Sequence, residues 1–287
     1  LRARSLVAAL DPGGHVSAAD LLVVVRSAGE RTEALCLEAI RGQTDARTEV
    51  TRERPFSNAL RRSIRLGIEA SKRWTLCVDA DVLLAPGSIA RLTAHLAAEP
   101  DAFFVCAYLM DKYYGRPMAR GVHLYRTDVL PEAEAAIPAE DTERPETAMK
   151  QVLLGRGWKS VNVRDRVLGL HGFGQYYRDI FRTIATRAQK SRDQFPFLME
   201  RFTHGAARDA DLRVALWALV AGSDGAYSLD AHHWDQTFHD LASAAGLAEK
   251  EPVDAREGRA RQRSARLASA LPLEFWRRPL VRQLRAW

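Results

Sequence analysis

No stretch of the 287-residue sequence is apolar for anything near the roughly 18 residues that a membrane-spanning helix needs. The opening LRARSLVAALDPGG has too short an apolar part for a signal peptide, so a cytoplasmic protein is expected. Cysteine is scarce: Cys36, Cys77 and Cys106 are odd in number, scattered and set in apolar surroundings, with no zinc spacing, which suits reduced core thiols. Carboxylates nearly vanish toward the end. From Arg259 onward eight arginines face the single Glu274, so this tail carries +7 and everything before it is near −1, within a total of +6. No recognised nucleic-acid-binding module accompanies that charge, and nucleic acid is not an expected partner. What is present, 47% hydrophobic and 27% charged residues, is a globular composition long enough for one large α/β domain plus an appendage.

The chain is organised around WTLCVDADVLL, Trp74 to Leu84. The apolar run Trp74 to Val78 reads as a buried parallel strand that delivers Asp79 and Asp81 to its carboxyl end, where open α/β sheets bind ligands. Carboxylates at i and i+2 diverge along a strand but can converge on one hard cation once the strand becomes a loop. A divalent metal carrying a diphosphate suits such a pair; a solvated turn or a helix cap is the plainer alternative. Before this stretch, Asp20 to Arg26 is a continuous aliphatic strand, Thr32 to Ile40 a helix capped by Thr32, Ala46 to Glu53 a short strand, and Phe56 to Lys72 an amphipathic helix capped by Ser57 or Asn58. After it, a helix opens at Pro86 and Ala102 to Leu109 is a further buried strand. MDKYYGRPMARG (Met110 to Gly121) reads as a polar loop suited to a binding flap. GVHLYRTDVL is a strand running into a short helix, Pro145 to Leu154 a helix, and WKSVNV and RVLGL short strands, the second leading to His171. Strands alternating with helices predict a doubly wound sheet. Beyond Tyr177 the pattern is helical nearly throughout, which divides the chain into a sheet domain, 1–190, and a helical region, 191–287.

The order of these parts resembles the nucleotide-sugar-dependent glycosyltransferases of the A-type (GT-A) fold, most nearly family 2. The resemblance rests on VVVRSAGERTEAL, PFSNALRRSIRLGIEAS, WTLCVDADVLL, GVHLYRTDVL and PETAMKQVLLGRGWKSV, and covers roughly residues 20 to 190. It implies a single Rossmann-like, mixed and mostly parallel sheet flanked by helices, with a C-terminal helical extension. It implies a sugar transferred from a nucleotide diphosphate-sugar donor to a hydroxyl of a carbohydrate, lipid-linked or protein acceptor. It also implies that Asp81 ligates Mn²⁺ or Mg²⁺ across the two phosphates, that Asp79 contacts the ribose or reaches the metal through water, and that His171 is a further ligand. Arg26, Ser27 and Glu30, with Asp79 and Ala80, fall where the family holds the nucleotide. The expected acid–base group is Glu146, in a Glu-Thr pair where the family often has Glu-Asp, or Asp141 or Glu143 from the preceding loop. The other seven histidines match no pattern and are expected at the surface.

Two features pull elsewhere. LEFWRRPLVRQLRAW interleaves aromatics and leucines with arginines, the make-up of a helix on an anionic membrane surface, though a helix packing its apolar stripe on the domain is the plainer reading. VDADV also fits the local pattern of haloacid-dehalogenase-type phosphatases, in which Asp79 would be the nucleophile and Asp81 the general acid. Those enzymes place the motif on their opening strand and follow it with an acidic pair that is missing here. Sugar-nucleotide-forming nucleotidyltransferases want a glycine-rich loop, and RSAGER has one glycine. A non-catalytic nucleotide- or membrane-binding protein on a degenerate transferase fold is the remaining alternative.

Overall fold

In the computed structural model, which describes residues 17–277 apart from 140, 141, 143, 226, 227, 229 and 231, the first aliphatic run forms β1 (Leu21–Arg26). It lies between β2 (Arg47–Thr51) and β3 (Trp74–Asp79), parallel to both. Leu21, Val23 and Val25 pack on one face with Cys36 and Ile40 of α1 (Glu33–Arg41) and with Ile89 and Leu92 of α3 (Ser88–Ala98). Leu22 and Val24 pack on the other with Leu60 and Ile64 of α2 (Phe56–Ala70), beside Leu130 of α4 (Leu130–Ala135) and Met149 of α5 (Pro145–Gly155). Alternate side chains feed opposite cores, so the strand is apolar without a break. Each fully buried aliphatic contributes about 1.5–3 kcal/mol, which fixes the floor on which the site is built.

The remaining strands are β4 (Val82–Leu84), β5 (Ala102–Asp111), β6 (Arg116–Arg126), β7 (Lys159–Val163) and β8 (Gly169–His171). The sheet runs β2-β1-β3-β6-β5-β8-β4, with β7 branching from β5. Pairs β1–β2, β1–β3, β5–β7 and β5–β8 are parallel, while β3–β6, β5–β6 and β4–β8 are antiparallel. The chain is thus α/β, a mixed, mostly parallel, curled sheet flanked by helices, the Rossmann-like arrangement expected of the A-type fold.

The segment expected to be a flap, Met110 to Gly121, is instead mostly strand. β5 continues to Asp111 and β6 begins at Arg116, leaving a turn whose Tyr113 and Tyr114 are buried. The turn is closed by Asp111, whose Oδ1 accepts the backbone N–H groups of both tyrosines at 2.9 Å. Two helix starts also differ. The Thr32 hydroxyl donates to the Ala80 carbonyl (3.0 Å) instead of capping α1, and α2 starts at Phe56, so Ser57 and Asn58 lie inside it.

Around Tyr113 and Tyr114 a further core gathers Ile180, Phe181 and Ile184 of α6 (Tyr177–Lys190), Phe202 of α7 (Phe195–Gly205) and Leu219 of α8 (Ala210–Asp224), with α9 (Asp235–Ala244) alongside. α10 (Ala255–Ala270) returns to the sheet, where Ala265, Ala268 and Leu273 pack with Leu83, Met110 and Leu170. Residues 278–287, the greater part of the segment LEFWRRPLVRQLRAW, for which a membrane-surface helix and a helix packed on the domain are the two readings, lie outside the described residues. Among those described, no helix is long and apolar enough to cross a membrane. All three cysteines are free and buried, and burial pushes Cys77 and Cys106 up to about 12.

Candidate functional site

β1 and β3 are in register such that Arg26 stands opposite Asp79 at their carboxyl ends. Arg26 is 4% exposed, and its Nε lies 2.8 Å from Asp79 Oδ1. Burial pushes the Asp79 carboxyl up and Arg26 holds it back, while Asp81 and Glu146 add to the rise. Between the two aspartates Ala80 is fully buried, with its N–H on the Arg26 carbonyl and its carbonyl on Thr32. The residue expected to touch substrate is therefore the pivot that turns Asp79 and Asp81 outward.

Asp81 reaches the second half of the site through the sheet. β8 pairs β4 antiparallel and β5 parallel, so His171 sits between Val82 and Asp111. Its Nε2 is 3.4 Å from Asp81 Oδ2 and its Nδ1 is 3.0 Å from Asp111 Oδ2. Asp111 is completely buried and also meets Arg120 at 3.1 Å. Against burial, the Asp81 and Asp111 charges raise the His171 pKa; against its own burial, His171 and Arg120 hold Asp111 well below the usual carboxylate range. Asp111 thereby fixes the ring and points Nε2 at Asp81.

Glu146, on the first turn of α5, faces inward. Its Oε1 accepts from Tyr125 Oη (2.7 Å) and from Arg26 Nη1 (3.2 Å), and lies 3.2 Å from His123 Nδ1; Lys150 Nζ stands 3.6 Å from Oε2. Against its burial, His123, Lys150 and Arg26 hold this carboxyl well below its usual value. His123 is 5% exposed and its pKa is pushed down to about 3 by burial, which corrects the expectation that the histidines other than His171 are surface residues.

Arg26, Asp79, Asp81 and His171 open into a cleft of about 990 Å³, walled by the strand ends on one side and by α6 on the other. Ser27 and Glu30 line it; the Ser27 hydroxyl donates to Glu30 Oε2 at 2.9 Å, and burial together with the Asp81 charge pushes Glu30 up to about 7. Glu146 and Ala80 are not among the lining residues, and Asp141 and Glu143 lie outside the described residues. Buried polar atoms without a hydrogen-bond partner gather on this cleft: Thr142 Oγ1, Gln175 Oε1, Asp179 Oδ2 and Arg187 Nη1. Such atoms are costly unless a ligand or water meets them.

Among the described residues, no three His, Cys, Asp or Glu side chains are already closed on a point that could hold a metal ion. Asp79, Asp81 and His171 nevertheless all line the cleft. A Cβ built on Gly121 would lie 3.1 Å from His171 Cδ2 and 3.5 Å from Asp79 Oδ2, and Asp81 Oδ2 adjoins the same ring. Two carboxylates and an imidazole are donors of the type that suit a hard divalent ion. Gly121 has φ +69°, and its Cβ would press Val82 Cγ2 at 2.9 Å. Gly121→Ala is therefore expected to cost about 1–3 kcal/mol of stability, read by thermal melting as a fall of about 3–10 °C.

Sequence reasoning missed Asp111, His123 and Gly121. Only the polarity of Asp111 at the end of an apolar run hinted at a role.

No protein-family model matches the chain, and neither does any curated protein. Similar solved structures include a mannosyltransferase, PcManGT, from Pyrobaculum calidifontis in complex with GDP-Man and Mn²⁺ (17% identity over 84% of this chain and 86% of that one, TM-score 0.43). A glycosyltransferase involved in glycosylation of the major capsid of PBCV-1 matches at 15% identity over 54% of this chain and 95% of its own, TM-score 0.39. A CMP:2-keto-3-deoxy-manno-octonic acid synthetase complexed with CTP matches at 10% identity over 50% and 89%, TM-score 0.33. At this distance the functional reading rests on the geometry of the site.

Proposed function

We propose that the chain is a metal-dependent glycosyltransferase that moves a sugar from a nucleoside-diphosphate donor to an acceptor hydroxyl. The observation that supports it best is the meeting of Asp79 and Asp81 with an Asp111-braced His171 on the floor of a large cleft at the carboxyl ends of β1 and β3. Asp81 and His171, with Asp79, would hold Mn²⁺ or Mg²⁺. Bound there, the cation supplies Lewis-acid stabilisation of the charge that grows on the departing diphosphate. Arg26 holds Asp79 in place, and Glu146 in turn anchors Arg26, which leaves the acceptance of the acceptor's proton to Asp141 or Glu143. Ser27 and Glu30 border the nucleotide. Phe56, 44% exposed in the same cleft with the Arg26 guanidinium 5.1 Å from its ring centre, offers a flat surface for the base.

The test is product analysis with a panel of nucleotide sugars and Mn²⁺. Free nucleoside diphosphate together with a glycoside or the released sugar is the expected result. Inorganic phosphate would point to a phosphatase, pyrophosphate to a nucleotidyltransferase, and neither turnover nor nucleotide binding would sink the reading.

A further inference from the structure

The cleft carries both signs of charge on each wall: Arg26 and Arg54 stand among the strand-end carboxylates, and Asp179 with Arg182 on α6. Its strand-end half carries Glu30, Asp79 and Asp81. The half facing it, built from α6 and the chain on either side of α5 and α6, carries Arg144 and Arg187 with the hydroxyls of Thr142, Thr183, Thr186 and Ser191. Thr183, Thr186 and Arg187 stand on one face of α6 by their helical spacing.

Neither arginine has a carboxylate within the 4.0 Å of an ion pair among the described residues, and Arg187 acts on the buried Asp111 only at longer range. Arg144 Nη2 donates instead to the Lys190 carbonyl (3.0 Å) and the Ser191 hydroxyl (2.8 Å). Arg187 is less satisfied: its guanidinium lies 5.3 Å from the ring centre of Tyr114, and its Nη1 is buried with no hydrogen-bond partner. An arginine held against an aromatic ring beside a cleft, with a buried N–H unmet, is prepared for a planar or tetrahedral oxyanion. The hydroxyls next to it, the orphaned Thr142 Oγ1 included, suit a polyhydroxylated ligand.

Resting on the glycosyltransferase reading, we propose that this half of the cleft binds the acceptor, that the acceptor is a sugar bearing a phosphate or carboxylate, and that Arg187 receives that anion. The donor's diphosphate belongs to the metal end, where Asp81 and His171 stand. The acceptor's charge is therefore read by a separate residue on a separate element. Arg187 is a specificity residue and takes no part in the bond-making step.

The experiment titrates glucose 6-phosphate, glucuronate, glucose and inorganic phosphate into the full chain held with Mn²⁺ and whichever nucleoside diphosphate stabilises it, for wild type, Arg187→Met and Arg187→Lys. The anionic sugars are expected to bind wild type about tenfold or more tighter than glucose and than phosphate alone, the scale of one charge-assisted hydrogen bond. Arg187→Met should lose that advantage while its affinity for the nucleotide moves by less than about twofold, which also reports that the variant is folded; Arg187→Lys should retain part of it. Anionic sugars that bind wild type no better than glucose, or no better than inorganic phosphate, would overturn the inference alone. So would an Arg187→Met variant that loses nucleotide as much as sugar, since Arg187 would then serve the donor. A wild type that binds no nucleotide overturns the proposed function and this inference with it.

Discussion

Asp81→Ala is expected to lower sugar transfer by about a thousandfold, equivalent to about 4 kcal/mol of lost transition-state stabilisation. Asp81 is the carboxylate beside His171 Nε2, with its side chain 23% exposed to the cleft. Its removal would take away the proposed oxygen ligand and leave the sheet untouched, because the local backbone bonds, Ala80 with Arg26 and Thr32 and the Asp81 carbonyl with the Gly172 N–H, do not use its side chain. The melting temperature without ligands should accordingly stay close to that of wild type, while stabilisation by metal plus nucleotide disappears. Initial rates over a range of Mn²⁺ concentrations check this. A variant that turns over normally once Mn²⁺ is raised tenfold would show that the metal is held elsewhere.

The second large effect falls on stability. Arg26→Met leaves Glu146, whose side chain is 14% exposed, with one cation fewer, and removes the partner of Asp79. Taking one member out of a buried charge cluster costs about 3–5 kcal/mol, a fall in melting temperature of about 6–20 °C for a chain of this size. The sign of the pH dependence follows from Glu146. Its folded carboxyl sits well below the ordinary value of 4.5. Its pairing therefore contributes stability that is complete above about pH 4.5 and is lost as pH falls through the depressed folded value. The gap between wild type and Arg26→Met should be widest near neutrality and narrow in acid, as measured by urea unfolding at several pH values. A gap that widened in acid would contradict the clamp on Glu146.

The parts of this architecture that the sequence makes legible are those set by local chemistry. β1 is aliphatic up to Arg26 and β3 mostly apolar because both of their faces are buried, with Asp79 closing β3 and Asp81 two residues on. His171 is visible as a histidine after a short apolar strand. Asp111 is not, since its partner lies 60 residues away and the two meet only through the pairing of β5 with β8. The hairpin is hidden for a local reason: glycine, proline and charge between Met110 and Gly121 are turn-like taken singly, yet β5 and β6 pair from Asp111–Arg116 onward. His123 reads as a surface histidine until α5 brings Glu146 and Lys150 against it. Thr32 has a capping residue's chemistry but uses its hydroxyl on Ala80, a choice fixed by the packing of α1 beneath the aspartate turn.

The central claim is that Asp79, Asp81 and His171 hold a metal-bound nucleoside diphosphate. Thermal stabilisation by UDP, GDP, CDP and dTDP, each with and without Mn²⁺, on wild type and Asp81→Ala, addresses it most directly, since a ligand that binds only the folded state raises the melting temperature by mass action. The structure leads us to expect one diphosphate that stabilises wild type only when Mn²⁺ is present, and no such effect in Asp81→Ala. Equal stabilisation with and without metal, or in both proteins, would contradict the claim, as would a wild type that no diphosphate stabilises.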